Sequence, residues 1–192
     1  MAATPSTMLA LGTVAPSFEL PDVDGRLVTL SSFGAARALL VQFICNHCPF
    51  VIHVRDELVR LARDAQAQGA AVVAINSNDA SAYPEDAPDR MRALAQLHGY
   101  PFPYLVDATQ SVAKAYRAAC TPDFYLFDAA RRLVYRGQLD GSRPGNAIAV
   151  TGADLRSALA ALLAGTPISA EQRPSIGCNI KWKPGNEPDY WR

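Results

Sequence analysis

No lysine or arginine precedes Arg26, so the opening stretch MAATPSTMLALGTVAPSF lacks the positive region that a secretory signal needs. No uninterrupted apolar run approaches the ~20 residues needed to span a bilayer. Neither sign of charge is in excess. Eighteen basic and 18 acidic residues give a formal net charge of +0, which leaves no electrostatic footprint for nucleic acid. There is no internal repeat, no low-complexity tract and no nucleotide or flavin motif. These absences lead to the expectation of a cytoplasmic protein that meets small molecules or other proteins. Nucleic acid, membrane and a bound organic cofactor are not expected. Cysteine is scarce, four residues in 192. In a reducing compartment such cysteines are more often catalytic or metal-binding than a disulfide framework.

The material for a core is present, at 49% hydrophobic residues, and the length suits one domain. The chain is organised around LLVQFICNHCPFVIHVRDELV, from Leu39 to Val59. An apolar run ends in Cys45 and Cys48, Pro49 follows, and Val51, Val54, Leu58, Leu61 and Ala65 recur at helical intervals. A buried strand therefore ends, two thiols sit in the turn, and an amphipathic helix begins. A helix N-terminus offers unpaired N–H donors and partial positive charge, and both favour the reactive thiolate.

Taken in order, residues 1–16 read as a mobile leader. Segments 17–20 and 27–30 around Asp24-Gly25 read as a hairpin, and Ser31-Ser32 as a short turn of helix. Strand 38–44, helix 48–67 and strand 70–76 make a βαβ unit with parallel strands. The polar segment 77–88 is expected to be a surface excursion. A helix through Met91, Leu94, Leu97 and His98 stops at Gly99, and Leu105-Val106 is extended. Thr109 is the expected N-cap of a short helix. Strands at 123–127 and 133–138 form an antiparallel pair, and 139–150 is a loop. Thr151, with Asp154 three residues on, is the expected cap of a last helix ending at Gly165. Residues 1–165 thus form the domain, and 166–192 an irregular tail that wraps onto it, anchored by Trp182 and Trp191.

The order of these elements, the two cysteines at the first βα turn and the later Thr121-Pro122 resemble the thioredoxin fold. The resemblance covers about residues 10–165 and lies in the redoxin branch that includes the AhpC/TSA peroxiredoxins. The stretches FICNHCPF, CTPDFYLFD and GCNIKW are similar to a peroxiredoxin-like subgroup. The resemblance implies an α/β fold with a central mixed sheet flanked by helices and an N-terminal hairpin. It also implies a cis Pro122 facing the thiols, with Thr121 beside it.

Two readings of the nucleophile stay open. Taken as a plain CxxC, Cys45 attacks, Cys48 resolves, and Asn46-His47 tune the pair. Taken by the spacing of the strand's aromatic residue in thioredoxin-like proteins, Phe43 points to Cys48, and Cys48-Pro49 overlays their Cys-Pro. Proline suits the first helical position, so Cys48 becomes the N-cap. The second reading is favoured, with Cys48 as nucleophile and Cys45 as resolving thiol. His47 and Pro49 join Thr121 and Pro122 as tuning or substrate-contacting residues. Cys120 and Cys178 are candidate accessory thiols, each with the alternative of an inert buried side chain.

The resemblance implies a thiol–disulfide oxidoreductase. It would act on an oxidised protein, a small disulfide or a peroxide, and be recycled by a dithiol protein or small thiol. An antioxidant thiol peroxidase is the alternative, with Cys48 as peroxidatic cysteine. Against it, the PxxxTxxC pattern is missing: counting back from Cys48 reaches Cys45 and Val41, and from Cys45 reaches Gln42 and Ala38. Arg136 and Arg143 are candidates to assist the thiolate. A metal- or client-binding module without turnover is the third reading. His47 and His53 supply imidazoles, but with only one CxxC no metal site is expected.

Overall fold

The computed structural model describes residues 3–191. Three short strands come first: β1 (Ala3–Pro5), β2 (Glu19–Pro21) and β3 (Leu27–Thr29). The chain then runs through β4 (Ala38–Phe43), α1 (Pro49–Ala67), β5 (Ala70–Asn76), α2 (Pro88–His98) and β6 (Tyr104–Val106). It continues with α3 (Ser111–Ala115), β7 (Cys120–Thr121), β8 (Asp123–Asp128), β9 (Leu133–Gly137), α4 (Ala153–Ala164) and β10 (Ile176–Asn179). Among the described residues no helix is long and apolar enough to cross a membrane.

The central sheet has the order β6-β5-β4-β8-β9. Its first three strands are parallel, and β8 and β9 are antiparallel to their neighbours. The strand–helix–strand unit at its heart is the one the hydrophobic pattern predicts. Every residue of β4 is buried, and alternate side chains serve two cores, as the two-residue period of a strand requires. Leu40 and Ile44 face the core shared with Val54 and Leu58 of α1 and Leu155 of α4. Leu39, Val41 and Phe43 face the core that holds Tyr116, Tyr125 and Phe127. Because β4 is buried on both faces, α1 starts from a fixed point.

The hairpin of β2 and β3 forms as expected, with Glu19 opposite Thr29. The leader and the tail differ from expectation. They form a second small sheet of order β1-β10-β7, with Ala3 opposite Cys178 and Cys178 opposite Thr121. A strand of three or four residues shows no readable period, so neither β1 nor β10 declares itself in the sequence. Trp182 is buried in the second core, as an anchor should be. Trp191 is 47% exposed and Tyr190 takes its place. The Tyr190 hydroxyl donates to the carbonyls of Ala113 and Ala118, and the Arg117 guanidinium lies 4.6 Å over its ring.

Two caps are displaced by one residue. Gln110, not Thr109, precedes α3, and Gly152, not Thr151, precedes α4, both in the left-handed conformation. At α4 the reason is Asp140. Its Oδ2 accepts the amides of Thr151 and Gly152 at 2.7 and 2.6 Å, so no hydroxyl cap is needed. Asp154 instead accepts a bond from Gln138 Nε2 at 2.6 Å.

Candidate active site

Cys48 is the N-cap of α1, with extended backbone (φ −69°, ψ 121°) and Pro49 in the first turn, as the spacing predicts. Its sulfur is fully buried, and Cys45 is only 2% exposed. The peptide between Thr121 and Pro122 is cis, as the resemblance implies. Thr121 touches both thiols. Its hydroxyl lies 3.4 Å from Cys45 Sγ, and its carbonyl oxygen lies 3.1 Å from Cys48 Sγ.

A fourth group completes the cluster. β10 carries Cys178 alongside Thr121, and the Cys178 thiol is hydrogen-bonded to Cys48. Residue 177 shows why β10 can approach so closely: a Cβ added to Gly177 would lie 2.0 Å from the Thr121 carbonyl oxygen. Only glycine fits there. Cys120, in contrast, donates to the Pro122 carbonyl at 3.6 Å.

The electrostatics separate the thiols. Cys48 is held well below the ordinary thiol range, first by the bond from Cys178 and then by that from Cys45. The Thr121 side chain and the Val51 amide add to this, and together they outweigh burial. The Thr121 carbonyl favours the protonated form, since it can accept a proton but not donate one. Cys45 is held well above the ordinary range by its bond to Cys48, by burial and by the Asp86 carboxylate. Cys178 is pushed up chiefly by its bond to Cys48 and then by burial. Burial leads the same upward shift in Cys120. One thiolate with two thiol donors is therefore the favoured charge state of the cluster.

Asp86 was not a candidate in the sequence. It belongs to the segment 77–88, which is polar as expected yet not wholly on the surface: Ser77, Asp79 and Asp86 are buried. Asp86 Oδ1 accepts the Asn46 amide at 2.7 Å, and Oδ2 accepts Asn78 Nδ2 at 2.8 Å. The same Oδ2 lies 2.8 Å from His47 Nδ1. This carboxylate fixes the turn between the cysteines, and the imidazole beside it stacks on Tyr83 at 5.4 Å. Nothing local in a Pro-Glu-Asp triplet announces that role.

His47 thus stands beside Cys45 and Asp86 rather than over Cys48. Ligand atoms of these three residues lie within 4.8 Å of one another, and among the described residues they are the one group of three arranged to hold a metal ion. His53 is engaged elsewhere, at 2.7 Å from Ser142 Oγ. The two candidate arginines do not bond a sulfur. Arg136 donates to the Leu9 carbonyl and to Gln172 Oε1, and Arg143 to the carbonyls of Asp140 and Ser142 and to Gln138 Oε1.

The architecture and this site can be set against known proteins. The chain is 59% identical to an uncharacterized conserved protein from Geobacillus kaustophilus of known structure. That match covers 96% of this chain and 98% of the other, with a TM-score of 0.94. It is 27% identical to the thiol-disulfide oxidoreductase ResA of Geobacillus thermodenitrificans, over 65% of this chain and 67% of that protein. The thioredoxin domain of a thiol-disulfide oxidoreductase from Bacteroides vulgatus shares the fold at 18% identity. Its TM-score is 0.57, over 70% of this chain and 90% of the domain. The fold is thioredoxin-like, a central mixed sheet flanked by helices. Residues 11–136 match the AhpC/TSA family model, and the chain belongs to that family.

Proposed function

We propose that this protein is a thiol–disulfide oxidoreductase in which Cys48 attacks and Cys45 resolves. The observation that carries the reading is the divergence of the two thiols. Cys48 is held low at the helix N-cap while Cys45, three residues upstream, is held high. The thiolate is the nucleophile. Cys48 attacks one sulfur of an external disulfide, forming a mixed disulfide and releasing the other sulfur as a thiolate. Cys45 then attacks Cys48 Sγ, passes its proton to the leaving thiolate, and leaves a Cys45–Cys48 disulfide. A dithiol protein or small thiol returns the pair to thiols. The proposal sets this cycle in the cytoplasm. Thr121 supports it by holding both sulfurs at one residue. Asp86 supports it by fixing Asn46 and His47.

The complete burial of Cys48 also supports a second reading, thiol peroxidase activity, because a peroxide is a smaller oxidant than a disulfide. Peroxide converts the Cys48 thiolate to a sulfenic acid, and Cys45 condenses with it, releasing water. Mass spectrometry after one equivalent of hydrogen peroxide, on wild type and each Cys→Ser variant, tests the assignment. Cys45→Ser should carry the oxidised sulfur on Cys48 or pass it to a thiol other than Cys45. If Cys48→Ser instead carries an oxidised Cys45, the order of the two thiols is reversed.

A further inference from the structure

We propose that Cys178 is a second resolving thiol for Cys48, so that the centre works as a three-cysteine relay. This rests on Cys48 being the nucleophile. β10 holds Cys178 between two strands, opposite Ala3 of β1 and opposite Thr121 of β7. The Thr121 carbonyl is the one that sits 3.1 Å from Cys48 Sγ. The missing Cβ of Gly177 lets the β10 backbone lie against that same carbonyl. Cys178 is 2% exposed, and its thiol is bonded to the Cys48 sulfur. Cys48 therefore has a thiol donor on each side, one from its own turn and one from the tail.

A hydrogen-bonded thiol is already next to the atom it would attack. A disulfide needs the two sulfurs to close to about 2.05 Å. The ladder joining β10 to β7 is two residue pairs long, so a shift there breaks few bonds. In the mixed disulfide, Cys48 is no longer an anion and no longer holds the Cys178 proton. Cys178 gives that proton to the departing thiolate and attacks Cys48 Sγ. The Cys48–Cys178 bond forms as the bond from Cys48 to the substrate sulfur breaks. The two electrons that reduce the external disulfide come from Cys48 and Cys178. Cys45 can then exchange into the new disulfide, free Cys178 and form the Cys45–Cys48 bond.

The test uses the full chain, fully reduced, and one equivalent of 5,5′-dithiobis(2-nitrobenzoate) as the small disulfide. Coloured thiolate release is followed, and the linkages are mapped on non-reduced peptides. Cys45→Ser should release about two equivalents of thiolate and yield the Cys48–Cys178 disulfide. The double variant Cys45→Ser/Cys178→Ser should release about one and keep the adduct on Cys48. Gly177→Ala, placed in the Cys45→Ser background, removes no further thiol but forces β10 away from the Thr121 carbonyl. It should also stall after one equivalent. Full two-equivalent release from the double variant, or a stalled adduct in Cys45→Ser alone, overturns the inference. Cys48→Ser separates the two levels of argument. If it still releases two equivalents, the nucleophile itself is misassigned. If it is inert while Cys45→Ser stalls, only the role of Cys178 fails.

Discussion

Cys48 shows what a single residue gains from its place. Its thiolate collects two thiol donors, a threonine side chain and a helix amide, and these overcome complete burial. The consequence for stability has a definite sign. Cys48 titrates below the ordinary thiol value of ~8.5 in the folded chain. Between those two values the unfolded chain binds one proton that the folded chain does not, so this site's contribution rises with pH. It is lost as pH falls through the lowered value. Cys45, Cys120 and Cys178 are held high, so their contribution is full below ~8.5 and falls as pH rises above it. For the reduced protein, the gap in urea midpoint between wild type and Cys48→Ser should widen from about pH 5 to about pH 8. A constant gap would mean that Cys48 is protonated throughout. Alkylation by iodoacetamide in the same window should stay nearly flat for Cys48, where an ordinary thiol would slow about tenfold per unit of pH. The sequence made Cys48 legible because the N-cap position and Pro49 are local facts. It left Cys178 open and passed over Asp86, because their roles depend on partners 130 and 40 residues away from them.

The elements were read best where one period ran long. α1 buries Val51, Val54, Leu58, Leu61 and Ala65 as its spacing requires. The same helix also buries Glu57, which breaks the apolar pattern. Glu57 is 4% exposed and is gripped by two arginines. Arg156 Nε of α4 lies 2.6 Å from its Oε1, and Arg60 Nε of α1 lies 2.9 Å from its Oε2. Arg156 also reaches Asp64 at 2.8 Å, so one guanidinium ties α4 to two points of α1 that lie about two turns apart. Such a tie holds the helix whose N-terminus carries Cys48. Removing one partner of a buried pair costs ~3–5 kcal/mol, because the other charge is left behind. Arg60 remains in this case, though it is 59% exposed at the side chain, so the loss is smaller. Arg156→Met should lower stability by roughly 1–3 kcal/mol. Urea unfolding at neutral pH checks it, and Glu57→Gln should recover part of the loss in the double variant. An unchanged midpoint in Arg156→Met would show that α4 docks by its leucines alone.

Over the whole molecule, the two ends of the chain close on the active site. β1 begins at Ala3 and β10 lies near the far end, yet they pair with each other and, through β10, with Thr121. This is why the leader and the tail were the parts of the fold least legible in the sequence. Each is too short to carry a period, and each pairs with a segment far away in the sequence. The ordering of such distant segments costs loop-closure entropy that only the finished sheet repays. The central sheet has its own two cores and does not draw on β1. Loss of the first five residues should therefore loosen one place and spare the rest. Without Ala3, Thr4 and Pro5, β10 becomes an edge paired only with the two residues of β7. Local opening then approaches the low-stability end of the molecule. A loss of one or two kcal/mol there corresponds to a roughly 5–30-fold rise in the open population. Hydrogen exchange should show the amides of Ile176–Asn179 speeding up by about that factor, while those of β4 keep their protection. Alkylation of Cys178, which is 2% exposed in the closed sheet, should rise in parallel. If the amides of β10 exchange no faster in the shortened chain, β7 alone holds the tail. In that event the N-terminus has no part in keeping Cys178 against Cys48.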